Sequence, residues 1–433
     1  MKNQINRFIL TIILCLVASC VPFKPQERQS PEGELPRSFS LYTAESEPEL
    51  RWWEEFNDID LNVLVTKALS DNLTLKETWS RLVQARALAV QAGAALYPDL
   101  TGTAGADYER QRSDNGSAKT TSTEDYSLGV VSSYELDLWG RIRAERESAL
   151  LEVTAAREDL NTAAMTLAAE VANRWVNIIS QRMQKRLLER QLQTNLTLLE
   201  LIELRFRMSM VSALDVYQQK QVVENIKAEI PLVEAEEQLL LNELALLMGK
   251  PPGTSLKISR EDFPEPNEIP ATGLPADLLS LRPDLRRAGM RLQAADWQVA
   301  AARANRLPAI RLTAGAQYGK GDMDVLFDNW LLSLAGNLTA PIFDGGRRAA
   351  EVDRRQAFAD ENLSAYRQTV LAAIKEVEDA LVSEVKQREH IRALENVLVA
   401  TLAGITRRPE PVGSGTLVRV QIRSVELFDV ENG

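Results

Sequence analysis

One stretch constrains this chain more than any other, because it occurs twice. Residues 97–141 and residues 307–347 follow the same plan. Each opens near a proline, Pro98 or Pro308, where a long helical pattern stops. Proline lacks the amide hydrogen and pushes the residue before it out of the helical region. Two runs of alternating apolar and small or polar residues follow. Each copy ends in Gly-Arg, at Gly140-Arg141 or Gly346-Arg347, and another long helical pattern starts there. The first runs match without gaps: Ala104-Gly105-Ala106 with Tyr108 aligns with Ala314-Gly315-Ala316 with Tyr318, an offset of 210 (314 − 104). At the exits the offset is 206 (346 − 140), so the second copy is four residues shorter (210 − 206). A helix–hairpin–helix unit used twice implies two tandem structural repeats.

The N-terminus sets the compartment. Lys2 and Arg7 precede an apolar run at residues 8–17, followed by Val17-Ala18-Ser19-Cys20. A charged start, a short apolar run and small residues before a cleavage point make a secretory signal, here residues 1–19. The run falls short of the ~20 apolar residues that a spanning helix needs. Val-Ala-Ser-Cys resembles the bacterial lipobox, in which the cysteine is acylated (palmitate among the chains) and becomes the first residue. Cys15 leaves with the signal, so no disulfide within the mature chain is expected. Val21 follows Cys20 where an aspartate would retain a lipoprotein at the inner membrane, which favours a lipid-anchored outer-membrane location.

The strand runs have two faces. In the first copy Leu100, Gly102, Ala104, Ala106 and Tyr108 share one side, and Thr101, Thr103, Gly105 and Asp107 the other. Residues 109–125 are polar and read as a loop. The returning run sets Leu128, Val130, Ser132, Tyr134 and Leu136 against Ser127, Gly129, Val131, Ser133 and Glu135. In the second copy Trp330, Leu332, Leu334, Gly336 and Leu338 oppose Ser333, Ala335, Asn337 and Thr339. Period two with one apolar and one small, polar face marks strands between two environments. A soluble sandwich would turn the polar face to solvent; a membrane barrel would turn the apolar face to lipid and the polar face to a watery lumen. Tyr97, Tyr126, Trp139, Tyr318 and Trp330 at strand ends, with the lipoprotein signal, select the barrel. Leu128, Val130, Leu136, Leu332, Leu334 and Leu338 are then expected to face lipid, and Ser133, Ser333 and Asn337 the lumen. Four strands cannot close around a channel, and open edges cannot face hydrocarbon. The strands must be shared between copies of the chain.

The remainder is helical. Residues 20–56 form a tether whose aromatic cluster, Arg51-Trp52-Trp53-Glu54-Glu55-Phe56, is expected to bind the tether to the body. A short helix is expected near residues 61–70, and Asp71-Asn72 can cap the next, along which Leu75, Trp79, Leu82, Ala85 and Ala89 keep helical spacing. Residues 143–208 hold no proline or glycine; as one helix these 66 residues would reach roughly 100 Å, wider than any compact domain. A hinge at 209–212 precedes a returning helix to 248, with a kink or break expected near Ile230 because Pro231 follows. Repeat 1 thus spans 57–250, with its hairpin at about 99–138. A Pro- and acid-rich linker covers 251–276. Repeat 2 spans 277–433, with its hairpin at about 309–342 and a helix from 347 to about 406.

Enzyme chemistry finds little material. The sole histidine, His390, sits among Gln387, Arg388 and Glu389 in a charged helix and reads as a surface residue. No catalytic constellation, cofactor loop or metal-ligand cluster is evident. A net charge of −11 gives no support to nucleic-acid binding. Charged residues at 26% with aromatics at 6% suit long exposed helices.

Several runs resemble one family. Leu281-Arg282-Pro283-Asp284-Leu285, Pro341-Ile342-Phe343-Asp344-Gly345-Gly346-Arg347, Glu135-Leu136-Asp137-Leu138-Trp139-Gly140-Arg141 and Leu214-Asp215-Val216 are similar to motifs of the outer-membrane efflux proteins. These are the TolC-like outer membrane factors, here in their lipoprotein branch (OprM/NodT-like). The resemblance implies a mainly α fold with a small β part: a long antiparallel α-helical barrel plus a transmembrane β-barrel shared by a homotrimer, each chain giving four strands. It implies a passive exit duct from the periplasm for small molecules such as drugs, docking on a periplasmic adaptor protein and an inner-membrane efflux transporter. It places a candidate periplasmic gate at Leu214 and Asp215, with Val420 and Gln421 as second-repeat counterparts (214 + 206, 215 + 206). Asp215 reads equally as a helix cap after Ser212.

The chain departs from the family in two places. Met208-Ser209-Met210 stands where glycine is usual at the hinge. Toward the end, Pro409 and Pro411 interrupt a helix, and the counterpart of residues 228–248 is missing, about 21 residues (248 − 227). The expectation from that tail is a weakened or leaky trimer, and the alternative function is a truncated, non-conducting periplasmic coiled-coil scaffold of the same family.

Overall fold

The computed structural model describes residues 23–25, 51–114, 118–264, 281–319 and 326–406. Cys20, Val420, Gln421 and the tail prolines lie outside the described residues. A 3₁₀ turn, Trp52–Phe56, is followed by α1 (Ile59–Asp71), α2 (Leu73–Ala94), β1 (Asp99–Asp114), β2 (Ala118–Leu136), α3 (Arg141–Arg207) and α4 (Ala213–Leu247). Then come α5 (Pro283–Ala304), β3 (Ala309–Tyr318), β4 (Trp330–Thr339) and α6 (Arg347–Thr406). The helix–hairpin–helix plan occurs twice, as α2-β1-β2-α3 and α5-β3-β4-α6. Among the described residues no helix is long and apolar enough to cross a membrane.

Two corrections concern local structure. The polar residues 109–125 are strand in most of their length, since β1 and β2 pair from Asp99↔Ser133 to Asp114↔Ala118. Thr120, Thr121 and Thr123 supply β-branched partners to Arg112, Gln111 and Glu109, and ladder pairing overrides the loop-like composition. Of the kink or break expected near Ile230, the break does not occur: α4 continues through Pro231 to Leu247. Proline removes one intrahelical hydrogen bond, and packing of Ile226 and Val233 against Leu188 holds the helix across it.

The chain divides into two compact units. One contains α1, residues 160–264 and the distal part of α6. Its core joins Leu61, Leu64, Val65 and Ala68 of α1 to Val171, Trp175, Ile178 and Ile179 of α3 and Leu240 and Leu244 of α4. Trp52, Trp53 and Phe56 pack against this core, Phe56 lying 6.1 Å from Trp175, as the aromatic cluster of the tether leads one to expect. The Asn72 side-chain oxygen accepts from Leu75 N–H at 2.8 Å, which caps α2, while its amide donates to the Leu247 carbonyl at 2.8 Å. Residues 251–264 lie against the helices: Ile258 joins the core, its carbonyl accepts from Arg182 at 2.8 Å, and Ser259 N–H donates to Asp60 at 2.8 Å. Arg174–Glu243, Arg182–Glu237 and Lys185–Glu234, each at 2.7 Å, run between α3 and α4. The more exposed of these, Arg174–Glu243 and Lys185–Glu234, contribute ~0–1 kcal/mol each, so they set register more than stability.

The other unit holds the sheet, with Trp79–Asp159 and Leu279–Leu371. Here α5 meets α3 on alanines: Ala144, Ala300 and Ala301 are buried together, with Phe23 and Trp297 beside them. Small side chains permit an approach close enough for the Ser148 hydroxyl to donate to the Ala294 carbonyl at 2.9 Å. The arginines after Pro283 clasp α3, Arg286 to Glu158 at 2.8 Å, Arg287 to Asp159 at 3.0 Å and Arg291 to Asp159 at 2.8 Å. This clasp is the physical content of the run at residues 281–288. Burial beside Asp159 pushes the Glu152 carboxyl up, with Arg291 opposing.

Candidate functional site

The four strands form one antiparallel sheet in the order β1-β2-β3-β4. Hairpin therefore pairs with hairpin, β2 with β3, and β1 and β4 are edges within the chain. The register keeps the period-two pattern in step from strand to strand. Leu100 pairs with Ser132, Ser132 with Ala314 and Ala314 with Leu334. Directly paired residues point to the same side. One face consequently carries Leu128, Val130, Leu136, Leu332, Leu334 and Leu338. The other carries Ser133, Ser333 and Asn337, so the structure sorts both sequence-derived sets onto opposite faces without a slip. Leu331 is an exposed apolar residue on the polar side and departs from that sorting.

The glycines distinguish the faces a second way. On the polar face, side chains converge: a Cβ at Gly105 would lie 2.9 Å from the Ser127 hydroxyl, and one at Gly315 2.9 Å from the Ser333 hydroxyl. On the apolar face, a Cβ at Gly102 would meet nothing within 4 Å, and one at Gly336 only a leucine methyl at 3.5 Å. Crowding on one side and splaying on the other are what curvature toward the polar face produces.

Charges gather where the strands become helices. Glu135, at the end of β2, accepts from Arg141 at 2.8 Å and lies 3.5 Å from Arg311 of β3, which in turn pairs with Asn337 of β4. Arg141 also reaches Glu145 at 2.9 Å. Asp137 accepts from the N–H groups of Ile142 and Arg143, both at 3.0 Å, and from the Arg143 guanidinium at 3.1 Å. An acid at a helix N-terminus satisfies orphan donors and complements the helix dipole. Asp344 repeats the arrangement for α6, accepting from Gly346 and Arg348. The Trp139 indole donates to the Pro308 carbonyl at 2.6 Å, tying the exit of one hairpin to the start of the other. Sequence reading singled out neither Glu135 nor Arg311 as functional, because their proximity depends on register between residues 176 apart.

The helical hinge is built from two caps. After α3, Met210 N–H donates to the Arg205 carbonyl and Ser209 N–H to the Phe206 carbonyl, both at 2.9 Å. That is the Schellman closure, which needs a left-handed residue at its centre. Ser209 takes that place with φ 57°, the position where the family resemblance leads one to expect glycine. The end of α4 uses the same closure with Gly249 at φ 65°. Before α4, the Ser212 hydroxyl accepts from Asp215 N–H and the Asp215 carboxylate accepts from Ser212 N–H, a capping box. Hydrogen bonds from the Ser212 hydroxyl and backbone hold the Asp215 carboxyl below its ordinary value. The cap reading of Asp215 is thus realised. Leu214 beside it is exposed, as are Met208, Met210 and Tyr217.

A family model described as outer membrane efflux protein matches residues 64–250 and 274–422. The pyoverdine export outer membrane protein OpmQ of Pseudomonas aeruginosa is 36% identical over 341 residues, covering 77% of this chain and 72% of that protein. The toluene efflux pump outer membrane protein TtgF of Pseudomonas putida is 33% identical over 350 residues, covering 80% and 72%. Among solved structures, the outer-membrane channel OprN superposes with a TM-score of 0.83 at 26% identity, covering 95% of this chain and 93% of that one.

Proposed function

The chain belongs to the outer membrane efflux protein family, and from that premise we propose how it is assembled and used. It is the outer-membrane channel component of an efflux system. Three copies close one barrel, β4 of each chain pairing with β1 of the next. The polar face, with Ser133, Ser333 and Asn337, lines the lumen, and the leucine face meets lipid. One observation carries this reading: a sheet whose two faces stay chemically distinct across four strands while, among the described residues, both edge strands lack a further strand partner. Exposed edges invite pairing, and closure removes them. The crowding around Gly105 and Gly315 supports a lumen on the polar side.

Exposed Trp79, Val83, Leu88 and Val90 of α2 and Phe358 of α6 are apolar surface for the neighbouring copies to cover. Cys20 is acylated and anchors the assembly to the outer membrane. Leu214 and Asp215, with Val420 and Gln421, narrow the periplasmic end of the helical duct. A periplasmic adaptor protein and an inner-membrane transporter are its partners. The cargo is small molecules, as the names pyoverdine and toluene indicate for two relatives, with the choice made by the transporter that loads the duct.

Planar-bilayer recording on the purified full chain tests the duct, and discrete conductance steps are the expected result. A water-soluble thiol reagent should label the Ser333→Cys variant and leave the Leu334→Cys variant unmodified. An assembled trimer that never conducts would refute the reading.

A further inference from the structure

We propose that Arg311 is a selectivity-determining residue of the pore: its copies form a basic ring that attracts anionic cargo where the barrel meets the helices. The inference rests on the polar face being the lumen wall.

Arg311 lies on the polar face of β3, paired laterally with Glu135 on one side and Asn337 on the other. Glu135 is the acid beside it in that row, and its closer contact is with Arg141, at 2.8 Å against 3.5 Å for Arg311. The side chains of Glu135 and Arg141 are 20% and 27% exposed; that of Arg311 is 61% exposed. The carboxylate is therefore committed to the wall, and the guanidinium is the charge presented to the space in front of it. One step further up the same face, the residues on Arg311's own strand and its two neighbours, Ser133, Thr313 and Ala335, are small and neutral and do not screen it. Asp137 is turned into the start of α3 and neutralised there by Arg143. The one acid in the row of Ser133, Thr313 and Ala335, Asp99 of β1, pairs with Ser133 and so stands two strands from Arg311, ~10 Å away laterally at ~4.8 Å per strand; it accepts from Ser133 N–H at 2.7 Å.

The face has other charges, at a distance. Asp107 and Asp125 pair across β1 and β2. Asp125 is ten residues along β2 from Glu135 (135 − 125), roughly 33 Å at ~3.3 Å per residue. With a Debye length of ~10 Å at 0.1 M salt, the two levels act independently. Rings of arginine favour anions through a pore. The ligand class implied is small anions, carboxylates or phosphates among them.

The experiment is the reversal potential of single assembled channels under a potassium chloride gradient around 0.1 M, for the full chain, Arg311→Gln and, as control, Arg388→Gln on the exposed surface of α6. Arg311→Gln should raise the cation-to-anion permeability ratio about twofold or more, the control should not, and the difference should vanish near 1 M salt, where the Debye length is ~3 Å. Arg311→Cys should behave like Arg311→Gln and recover the original ratio after modification by a cationic thiol reagent. That recovery uses one channel before and after, so it excludes an altered fold as the cause. Channels that conduct with unchanged selectivity in both variants overturn the role of Arg311 and leave the duct standing. Assembled trimers with no conductance overturn the duct itself, and the ring with it.

Discussion

Adjacent residues of β4 allow the assignment of faces to be tested with one charge. Its ten residues, Trp330–Thr339, extend ~33 Å along the strand. At a tilt of ~35–45° this covers roughly 23–27 Å of membrane, close to the ~25 Å apolar band of outer-membrane barrels. Leu334 is the fifth of the ten, near the middle, and is 82% exposed in the single chain. Arginine there should cost ~2–4 kcal/mol in each chain, and three copies bring that to ~6–12 kcal/mol per ring. A folding margin of ~5–15 kcal/mol is of the same size, so the ring should fail to assemble. Ser333→Arg places the same side chain one residue away, on the polar face, where water receives it. Outer-membrane fractions of both variants would be run on semi-native gels after a heating series. Trimer retained by Ser333→Arg and lost by Leu334→Arg is the expected pattern. Equal loss in the two, or none in either, would refute the alternation on which the duct rests.

Three further outcomes are expected. Ser209→Gly should raise the unfolding midpoint in denaturant, because a left-handed φ costs a side-chain-bearing residue ~1–2 kcal/mol; the reciprocal Gly249→Ala should lower it, since its Cβ would fall 2.6 Å from the Asp71 carbonyl. The Asp60 carboxyl is held below its ordinary 3.8, chiefly by its hydrogen bond with Ser259. Its stabilising share is therefore full above about pH 4 and lost as the pH falls through the lower folded value. Amide exchange at Ser259 should accelerate there in the parent chain and be pH-independent in that range in Asp60→Asn, once the intrinsic exchange rate is divided out. Intact-mass measurement of membrane-extracted protein should find a lipid adduct that Cys20→Ala lacks; an unmodified parent would remove the anchor.

Elements fixed by local chemistry were readable in the sequence. Pro98 and Pro308 end helices, Asn72 caps α2, the run after Arg141 stays helical to Arg207, and the strand faces follow from period two. The reading failed where distant partners decide. Glu109, Arg110 and Arg112 look like loop residues, and only the ladder to Thr120–Thr123 makes them strand. Pro231 signals a kink or break, and the break is absent because packing against Leu188 carries α4 through it. Ser209 carries no local sign of a left-handed backbone; the available clue was its place between a helix end and the Ser212–Asp215 cap. The Glu135–Arg311 pair was invisible because it requires the register of β2 on β3.

The β2–β3 ladder joins two repeats that are already one molecule. Each association of free partners forfeits translational and rotational entropy worth ~4–15 kcal/mol. A ring of six separate hairpin units would need five such meetings; three tandem chains need two. For the ring proposed above, duplication would make assembly far less dependent on concentration, which matters for a protein diluted across the surface of a membrane. It also frees the two kinds of seam to diverge. The Trp139–Pro308 bond secures the seam inside the chain, while the counterpart of Trp139 (139 + 206) is Gly345, which has no side chain to offer. In the proposed ring, one kind of seam would be permanent by covalent linkage, and the other would lack the indole bond that secures the first.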